Sequence, residues 1–531
     1  MHLKPQYVIK TIRSRYNYII NSRPTFYSTK EKLKKDDWCG VVGLEIHAQI
    51  NSTSKLFSGS ATDYRSPVNQ NVSLFDASFP GTLPVLNRSC VEAGVLTALA
   101  LNCTLNPVST FDRKHYFYAD LPAGYQITQQ RCPLARGGEV QFQIYTPGVH
   151  KEPYLRKVQI HQLQLEQDSG KSLHDPANNR SLIDLNRAGV PLMEIVFEPD
   201  LSNGEEAAAL VKELILILTS LNTCLCKMEE GGLRVDANVS VHRRGTPLGV
   251  RSEVKNIGSI RSVARAVDYE IQRQITLLQG GGQVINETRA WDPEHNCTVS
   301  MRDKEEKQDY RFMPEPNLPP LHLDMEGTQA HPDMVDVAAL ADKLPELPNQ
   351  TRARLQADCG LSPLLAVRLV NEPELLRMFE AVLDESSDCS PTIVANLLVM
   401  ELLTLVNKEL CSLGSSRPFS KDIGEIADLL QSKRINLLTA RHVLEVIASG
   451  DNRAASDIIS AGNLWLVTDP VEIQAVCDAA ILRNPGLVES YRSGKTKVLG
   501  ALLGDIAKVT QNRVDMSLIA RHLQELLKKP Q

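Results

Sequence analysis

One proline-dense segment, Met313-Pro314-Glu315-Pro316-Asn317-Leu318-Pro319-Pro320, limits how this chain can fold. Each proline fixes its own φ and removes a backbone donor, so neither a helix nor a central strand can run through it. The segment therefore reads as a domain edge. Before it, from about Cys39 to Leu323, the chain is rich in Gly, Pro and short alternating runs. After it, from about Asp333 to the end, apolar residues recur at helical spacing. No internal repeat and no long low-complexity stretch crosses this division. The expected fold is α+β, mainly an antiparallel sheet with helices, followed by all-α domains.

Two runs in the first part alternate with period two. Val42, Leu44, Ile46, Ala48 and Ile50 share one face of a strand, and Gly43, Glu45, His47 and Gln49 share the other. Leu233, Val235, Ala237, Val239 and Val241 likewise oppose Arg234, Asp236, Asn238, Ser240 and His242. Each pattern suits an antiparallel sheet with one polar face. Helical spacing predicts helices over 205–221, capped by Ser202 or Asn203, and over 259–278, ending at Gly280-Gly281-Gly282. In the second part it predicts helices near 333–343, 349–358, 361–371, 374–384, 391–408, 421–432, 437–449, 470–484, 496–509 and 515–527.

Length and composition bound the rest. The 531 residues suggest about three domains at roughly 150 residues each. With 42% hydrophobic and 23% charged residues, the chain is of ordinary globular composition. Its 11 cysteines are odd in number and scattered, with no C-x-x-C pair, which argues against a disulfide framework and a four-thiolate zinc site. The most apolar stretch, Thr392 to Val406, is interrupted by Asn396 and Glu401 and is no membrane span. In residues 1–30, Lys4, Lys10, Arg13, Arg15, Arg23 and Lys30 face no acid and flank no apolar region. That excludes an ordinary secretory signal and suits a mitochondrial transit peptide. Taking these six cations from the formal charge of −5 leaves −11 for the remainder. A nucleic-acid partner must then meet local basic patches, not overall charge.

Carboxylates recur in strand-like settings. Glu45 and His47, at i and i+2, share a face, and both residue types ligate divalent cations. Gln164, Glu166 and Asp168 alternate, as do Asp184 and Asn186. Glu194 sits in the apolar run Val190 to Val196, where a charge must be paired, hydrogen-bonded or bound to a metal. One reading brings these faces together on a Mg²⁺ and a phosphate; the other leaves them as separate solvated positions. Gly170-Lys171-Ser172 and Gly494-Lys495-Thr496 end like phosphate-binding P-loops, but Leu165 and Glu489 stand where the first glycine is required. No nucleophile elbow and no H-E-x-x-H occurs. Basic and aromatic residues interleave from Asp112 to Pro122, a pattern that could hold phosphate or an RNA end. The last 41 residues hold eight Lys or Arg against three Asp or Glu, a possible RNA footprint in an otherwise acidic chain.

Several longer segments carry a resemblance. They are Gly43-Leu44-Glu45-Ile46-His47, Phe111 to Gln129, Leu185 to Ile195, Lys227 to Asn238, Glu253-Val254-Lys255-Asn256, Glu287-Thr288-Arg289 and Asp309 to Pro316. With them the chain resembles the GatB/GatE family of tRNA-dependent amidotransferases in its mitochondrial form. The resemblance covers essentially everything after the leader. It implies a leader over 1–36, a catalytic cradle over 37–328, a helical connector over 329–378, and a helical and YqeY-like tRNA-binding tail over 379–531.

It also implies an activity. The family phosphorylates the side chain of glutamate misacylated on tRNA(Gln) with ATP and Mg²⁺. Ammonia then displaces phosphate to give Gln-tRNA(Gln) in mitochondrial translation. The ammonia comes through a tunnel from a separate amidase (A) subunit, and a small third (C) subunit joins the two. Carried onto this chain, Glu45, His47, Glu166 and Glu194 are the expected metal ligands, with Asp184 beside them. Lys114, Tyr118, Asn186, Arg187 and Arg234 are expected at substrate and phosphate, and Lys495, Lys497, Lys508 and Arg513 at tRNA. The expected location is the mitochondrial matrix. Where bacterial members often read His-Met-Glu-Glu-Asp, this chain has Gln164-Leu165-Glu166-Gln167-Asp168, so two potential ligands are amides. That departure motivates an alternative, a non-catalytic tRNA-binding scaffold.

Overall fold

The computed structural model describes residues 38–301, 310–328, 333–385, 389–413, 419–510 and 512–528. The leader expected over 1–36 lies outside the described residues. The chain divides into two compact units between Asn349 and Gln350.

The first unit is built on strands β1 (Trp38–Gln49), β2 (Thr104–Leu105), β3 (Val108–Ser109), β4 (Asp112–His115), β5 (Tyr125–Thr128), β6 (Ala135–Arg136), β7 (Glu139–Ile144), β8 (Tyr154–Gln167), β9 (Lys171–Asp175), β10 (Arg180–Asp184), β11 (Pro191–Phe197), β12 (Leu233–Arg243), β13 (Ser252–Ile257), β14 (Thr288–Asp292), β15 (Cys297–Ser300) and β16 (Met313–Pro314). The large sheet runs in the order β15-β14-β13-β12-β1-β11-β8-β6-β2, with β7 also on β8. The two alternating runs seen in the sequence are its centre. β1 and β12 pair antiparallel from Trp38↔Arg243 to Ala48↔Leu233. The β13–β14 pair is parallel, as a helical crossover between two strands requires.

Helices α1 (Arg88–Ala100), α2 (Gly204–Ser220) and α3 (Ile260–Gln279) belong to this unit. Val42, Leu44, Ile46, Val235, Ala237 and Val239 join Leu210, Leu214, Val263 and Val267 in one core. Asn203 is the α2 cap, its side chain accepting from the Glu206 amide, while Ser202 donates its amide to the Glu206 carboxylate. Gly204 is required where α2 meets α3, because a Cβ there would lie 2.1 Å from the Ala264 carbonyl oxygen. The buried face of the sheet thus carries the helices, and the polar face of β1, β12, β11 and β8 is left for chemistry.

Two small layers border that face. β16-β4-β5 is a three-stranded sheet, and β9-β10 is a hairpin. The proline segment therefore contributes an edge strand through Met313 and Pro314 before leaving regular structure.

The second unit is helical, with one core around Leu398, Phe379 and Ile423 and another around Leu502, Ile519 and Leu523. The helix expected over 391–408 is interrupted: Pro391–Asn396 and Leu403–Asn407 flank a π turn, Leu397–Leu402. Glu401 lies in that turn and accepts two bonds from Arg441, at 2.6 and 2.8 Å. The helix expected over 496–509 begins with a 3₁₀ turn, Thr496–Val498. Short helices Ala455–Ala461 and Pro485–Arg492, which helical spacing does not announce, complete the unit.

Candidate functional site

Strand register assembles the site. On β1, His47 is paired directly with Glu194 of β11 and with Arg234 of β12. Glu194 is in turn opposite Gln164 of β8. A row of four polar residues, Arg234, His47, Glu194 and Gln164, thus crosses four strands on one face. Glu166, two residues beyond Gln164, reaches back so that its Oε1 is 3.1 Å from His47 Nδ1. Gln164 donates to Glu194 at 2.6 Å and to Thr128 at 3.1 Å.

His47, Glu166 and Glu194 each bring a donor atom within 4.8 Å of the others. Two carboxylates and an imidazole in one buried spot are a donor set for a hard-to-borderline divalent cation. The electrostatics carry the same signature. Burial opposes the charged form of His47, but the hydrogen bond to Glu166 and the charge of Glu194 outweigh it and raise the imidazole to about 9. Burial, then the like charge of Glu166, raises Glu194 above the usual carboxylate range. Burial also works against ionised Glu166, yet His47 and Lys114 hold it below that range. Among the described residues, Glu166 Oε2 is buried with no hydrogen-bond partner, an arrangement costly unless a cation uses it. The residues therefore fit a metal.

The cluster opens into a cleft of about 460 Å³ lined by His47, Glu166, Lys114, Arg234, Asp236 and Lys255, among others. Lys114 is raised: burial lowers it, and the charges of Glu166 and Glu194 more than offset this. Its ammonium lies 4.8 Å from the Tyr310 ring centroid. Arg234 makes a two-pronged ion pair with Asp168, both bonds 3.0 Å. Lys255 bonds Asp236 at 2.7 Å and Glu253 at 2.9 Å. The cleft is an acidic floor ringed by cations, which suits phosphate oxygens held by a cation and by protein donors.

The family model described as the GatB/GatE catalytic domain matches residues 40–329, and the one described as the GatB domain matches 377–527. A protein of Aedes aegypti, named as the B-subunit of mitochondrial glutamyl-tRNA(Gln) amidotransferase, is 55% identical, over 96% of this chain and 98% of its own length. This chain belongs to the GatB/GatE family. A human relative with the same name is 46% identical, over 96% of this chain and 92% of its own length. A Rickettsia bellii relative, named as the B-subunit of aspartyl/glutamyl-tRNA(Asn/Gln) amidotransferase, is 40% identical, over 92% of this chain and 98% of its own length.

Within this GatB/GatE fold the residues singled out from sequence fall in three places. His47, Glu166, Glu194, Lys114 and Arg234 are together at the cleft. Glu45 is next to them on β1, its carboxylate accepting from Asn238 at 2.9 Å. Tyr118 is 52% exposed beside the cleft, in ring contact with Tyr116 at 5.6 Å.

Asp184 and Asn186 are elsewhere. Asp184 accepts from the Asn69 amide at 3.1 Å, and Asn186 accepts from the Asn71 amide at 2.8 Å. Both fasten the 63–71 loop and, with Arg187, line a separate hollow of about 490 Å³. Arg187 donates to the Ser169 and Gly170 carbonyls and lies 3.6 Å from Asp168.

In the second unit, Lys495, Lys497 and Lys508 are exposed. Arg513 is half-buried and donates to the carbonyls of Thr510 and Asn463. Four residues at the cleft, Asp168, Lys255, Gln126 and Tyr310, are not among the site residues expected from sequence. Asp168 had a signal, alternation with Glu166. Lys255 lies inside the family-like segment 253–256. Tyr310 meets Lys114 only through the tertiary β16–β4 pairing.

Proposed function

We propose that this chain is the phosphorylation and transamidation component of a tRNA-dependent amidotransferase. In this reading it converts Glu-tRNA(Gln) to Gln-tRNA(Gln) with ATP, Mg²⁺ and glutamine-derived ammonia. The observation that carries the reading is the convergence of His47, Glu166 and Glu194 on the floor of a cleft rimmed by Lys114 and Arg234. His47, Glu166 and Glu194 would hold Mg²⁺, with Glu45 behind them. When bound, the cation supplies charge neutralisation for the transferring phosphoryl group.

The chain's own residues do the rest. Lys114 and Arg234 are positioned to donate to phosphate oxygens. Asp168 fixes the Arg234 guanidinium in the cleft lining. The glutamate side-chain carboxylate attacks the terminal phosphorus and ADP leaves. Ammonia then attacks the activated carbonyl carbon and phosphate leaves. Such a reaction needs positioning and electrostatics more than covalent help from the protein. Tyr116, Met228, Leu233 and Ile257 give the cleft apolar wall beside its charged floor.

An amidase (A) subunit and a small C subunit are the partners of this reading. The exposed lysines of the tail are its tRNA contacts. The acid-free basic first 30 residues, and the word mitochondrial in the Aedes aegypti and human names, support import to the mitochondrial matrix.

The deciding experiment mixes the chain, with and without the A and C subunits, with labelled Glu-tRNA(Gln), ATP, Mg²⁺ and glutamine. The label should appear in glutamine only when all three subunits and ATP are present. Salt-sensitive tRNA binding with no conversion would support the scaffold alternative instead.

A further inference from the structure

Beside the cleft runs a connected series of aromatic rings. Tyr118 contacts Tyr116 with centroids 5.6 Å apart, Tyr116 contacts Tyr310 at 6.2 Å, and Tyr310 contacts Phe312 at 6.0 Å. All three contacts are edge to face, so each uses at most one ring face. The middle of the series is at the cleft, which Tyr116 lines together with Lys114. Its two ends are on the surface, where Tyr118 is 52% and Phe312 36% exposed.

The rings flank a small hydrogen-bonded sheet. β4, β5 and β16 are hydrogen-bonded into one sheet, and the His115 amide donates to the Tyr310 carbonyl at 2.8 Å. Arg113 locks the layer by two bonds to Glu315, at 2.6 and 3.0 Å. Two exposed rings joined through two half-buried ones, with a lysine over one of the half-buried pair, are the elements of a single-strand stacking platform.

We propose that the rings of Tyr118, Tyr116, Tyr310 and Phe312 are the stacking platform for the unpaired 3′ end of the aminoacyl-tRNA, leading its terminal residue to the cleft. This rests on the functional reading above. A run of several bases fits better than one nucleotide, because three ring-to-ring steps of about 6 Å exceed the width of a single base. Lys114, over the Tyr310 ring and lining the cleft, supplies positive charge for the terminal phosphates.

The test uses the reconstituted three-subunit complex and Glu-tRNA(Gln) with 2-aminopurine in place of the terminal adenine. Binding to the wild-type complex should quench the fluorophore by stacking. Tyr118→Ala and Tyr310→Ala should relieve the quench and weaken tRNA binding about fivefold or more. Tyr118→Trp should keep both, and the KM for ATP should stay unchanged in the two Tyr118 variants. Tyr118 is exposed, so its variants carry the test even where Tyr310→Ala fails to fold. An unchanged quench and affinity in Tyr118→Ala, with normal amidation, overturns the platform alone. A raised KM for ATP with the quench retained also overturns it, assigning the rings to the nucleotide base. A wild-type complex that binds no tRNA removes the functional reading and the platform with it.

Discussion

His47 Nδ1 lies 3.1 Å from Oε1 of Glu166, a residue 119 positions further along the chain. The contact exists because β1 and β8 flank β11 in the sheet, so two side chains on one face lean over the strand between them. Both are needed to complete a donor set with Glu194. Glu166→Gln or His47→Ala should therefore abolish Glu-tRNA(Gln) amidation in the reconstituted complex while leaving glutamine hydrolysis by the amidase component. Glu45→Gln, one step outside the set and hydrogen-bonded to Asn238, should cost about 10–100-fold. Equal losses in Glu45→Gln and Glu166→Gln, measured as initial rates, would contradict this ranking.

The raised His47 pKa sets a pH dependence. In the metal-free chain the imidazole is raised from 6.5 to about 9. Its contribution to stability is thus complete below pH 6.5 and is lost as pH rises through about 9. A metal needs the neutral imidazole, so binding releases the proton and tightens over the same window. Both effects have one sign. The increase in Tm produced by saturating Mg²⁺, relative to EDTA, should grow steadily from pH 6.5 to about pH 9. A constant increment across that range would exclude His47 as a ligand.

Asp168 acts on the cleft through Arg234. The two-pronged pair at 3.0 Å fixes the guanidinium, and Arg187 stands behind the same carboxylate. Asp168→Asn keeps the shape but removes the charge. The expected cost is about 1–3 kcal/mol of stability, because Arg234 is left partly buried and unpaired. The catalytic effect should appear mainly as a raised KM for ATP, with tRNA affinity unchanged. Steady-state kinetics with each substrate varied in turn would check this split.

Much of this site was legible in sequence, and the parts that were not share one cause. Alternation placed Glu45 and His47 on one face because side-chain direction in a strand is purely local. Glu194 stood out because a carboxylate in an apolar run needs a partner. Asp184 and Asn186 alternate in the same way, yet they serve the 63–71 loop. No local pattern separates the two cases; only strand order does. Arg513 counted as one basic charge in the tail, but its bonds to two backbone carbonyls depend on how the helices meet. The π turn at 397–402 has the same origin, since Glu401 meets Arg441 only in the folded unit.

A second buried ion pair predicts a stability effect away from the chemistry. Lys55 and Asp76 are 3.1 Å apart and both fully enclosed. Burial lowers the Lys55 pKa, and the Asp76 charge counteracts it. Ser58 and the Ser73 amide also donate to Asp76. Gly189, at φ +82°, packs so closely that a Cβ there would lie 2.6 Å from the Asp76 carboxylate. Lys55→Met should strand that carboxylate and destabilise the first unit by about 3–5 kcal/mol. Adding Asp76→Asn should restore much of the loss, because an amide still accepts from the serines without carrying a charge. Urea unfolding followed by the tryptophans Trp38 and Trp291 would measure both variants.

The tail lysines should separate from Arg513 in their salt response. Lys495 precedes and Lys497 lies within the turn before the helix Leu499–Val509, and Lys508 lies near that helix's end, all exposed. Exposed lysines that contact phosphates release counterions on binding. Each such contact contributes about 0.9 to the slope of log affinity against log salt on duplex nucleic acid. Lys495→Gln with Lys497→Gln should therefore lower tRNA affinity at low salt and flatten the slope by up to about two units. Amidation at saturating tRNA should be unaffected. Arg513→Gln should act differently. Its guanidinium holds the Thr510 and Asn463 carbonyls, so the variant should lower the unfolding midpoint of the second unit. It should leave the slope of tRNA binding unchanged. A slope that falls with Arg513→Gln but not with the paired lysine variant would reverse this assignment of the basic tail.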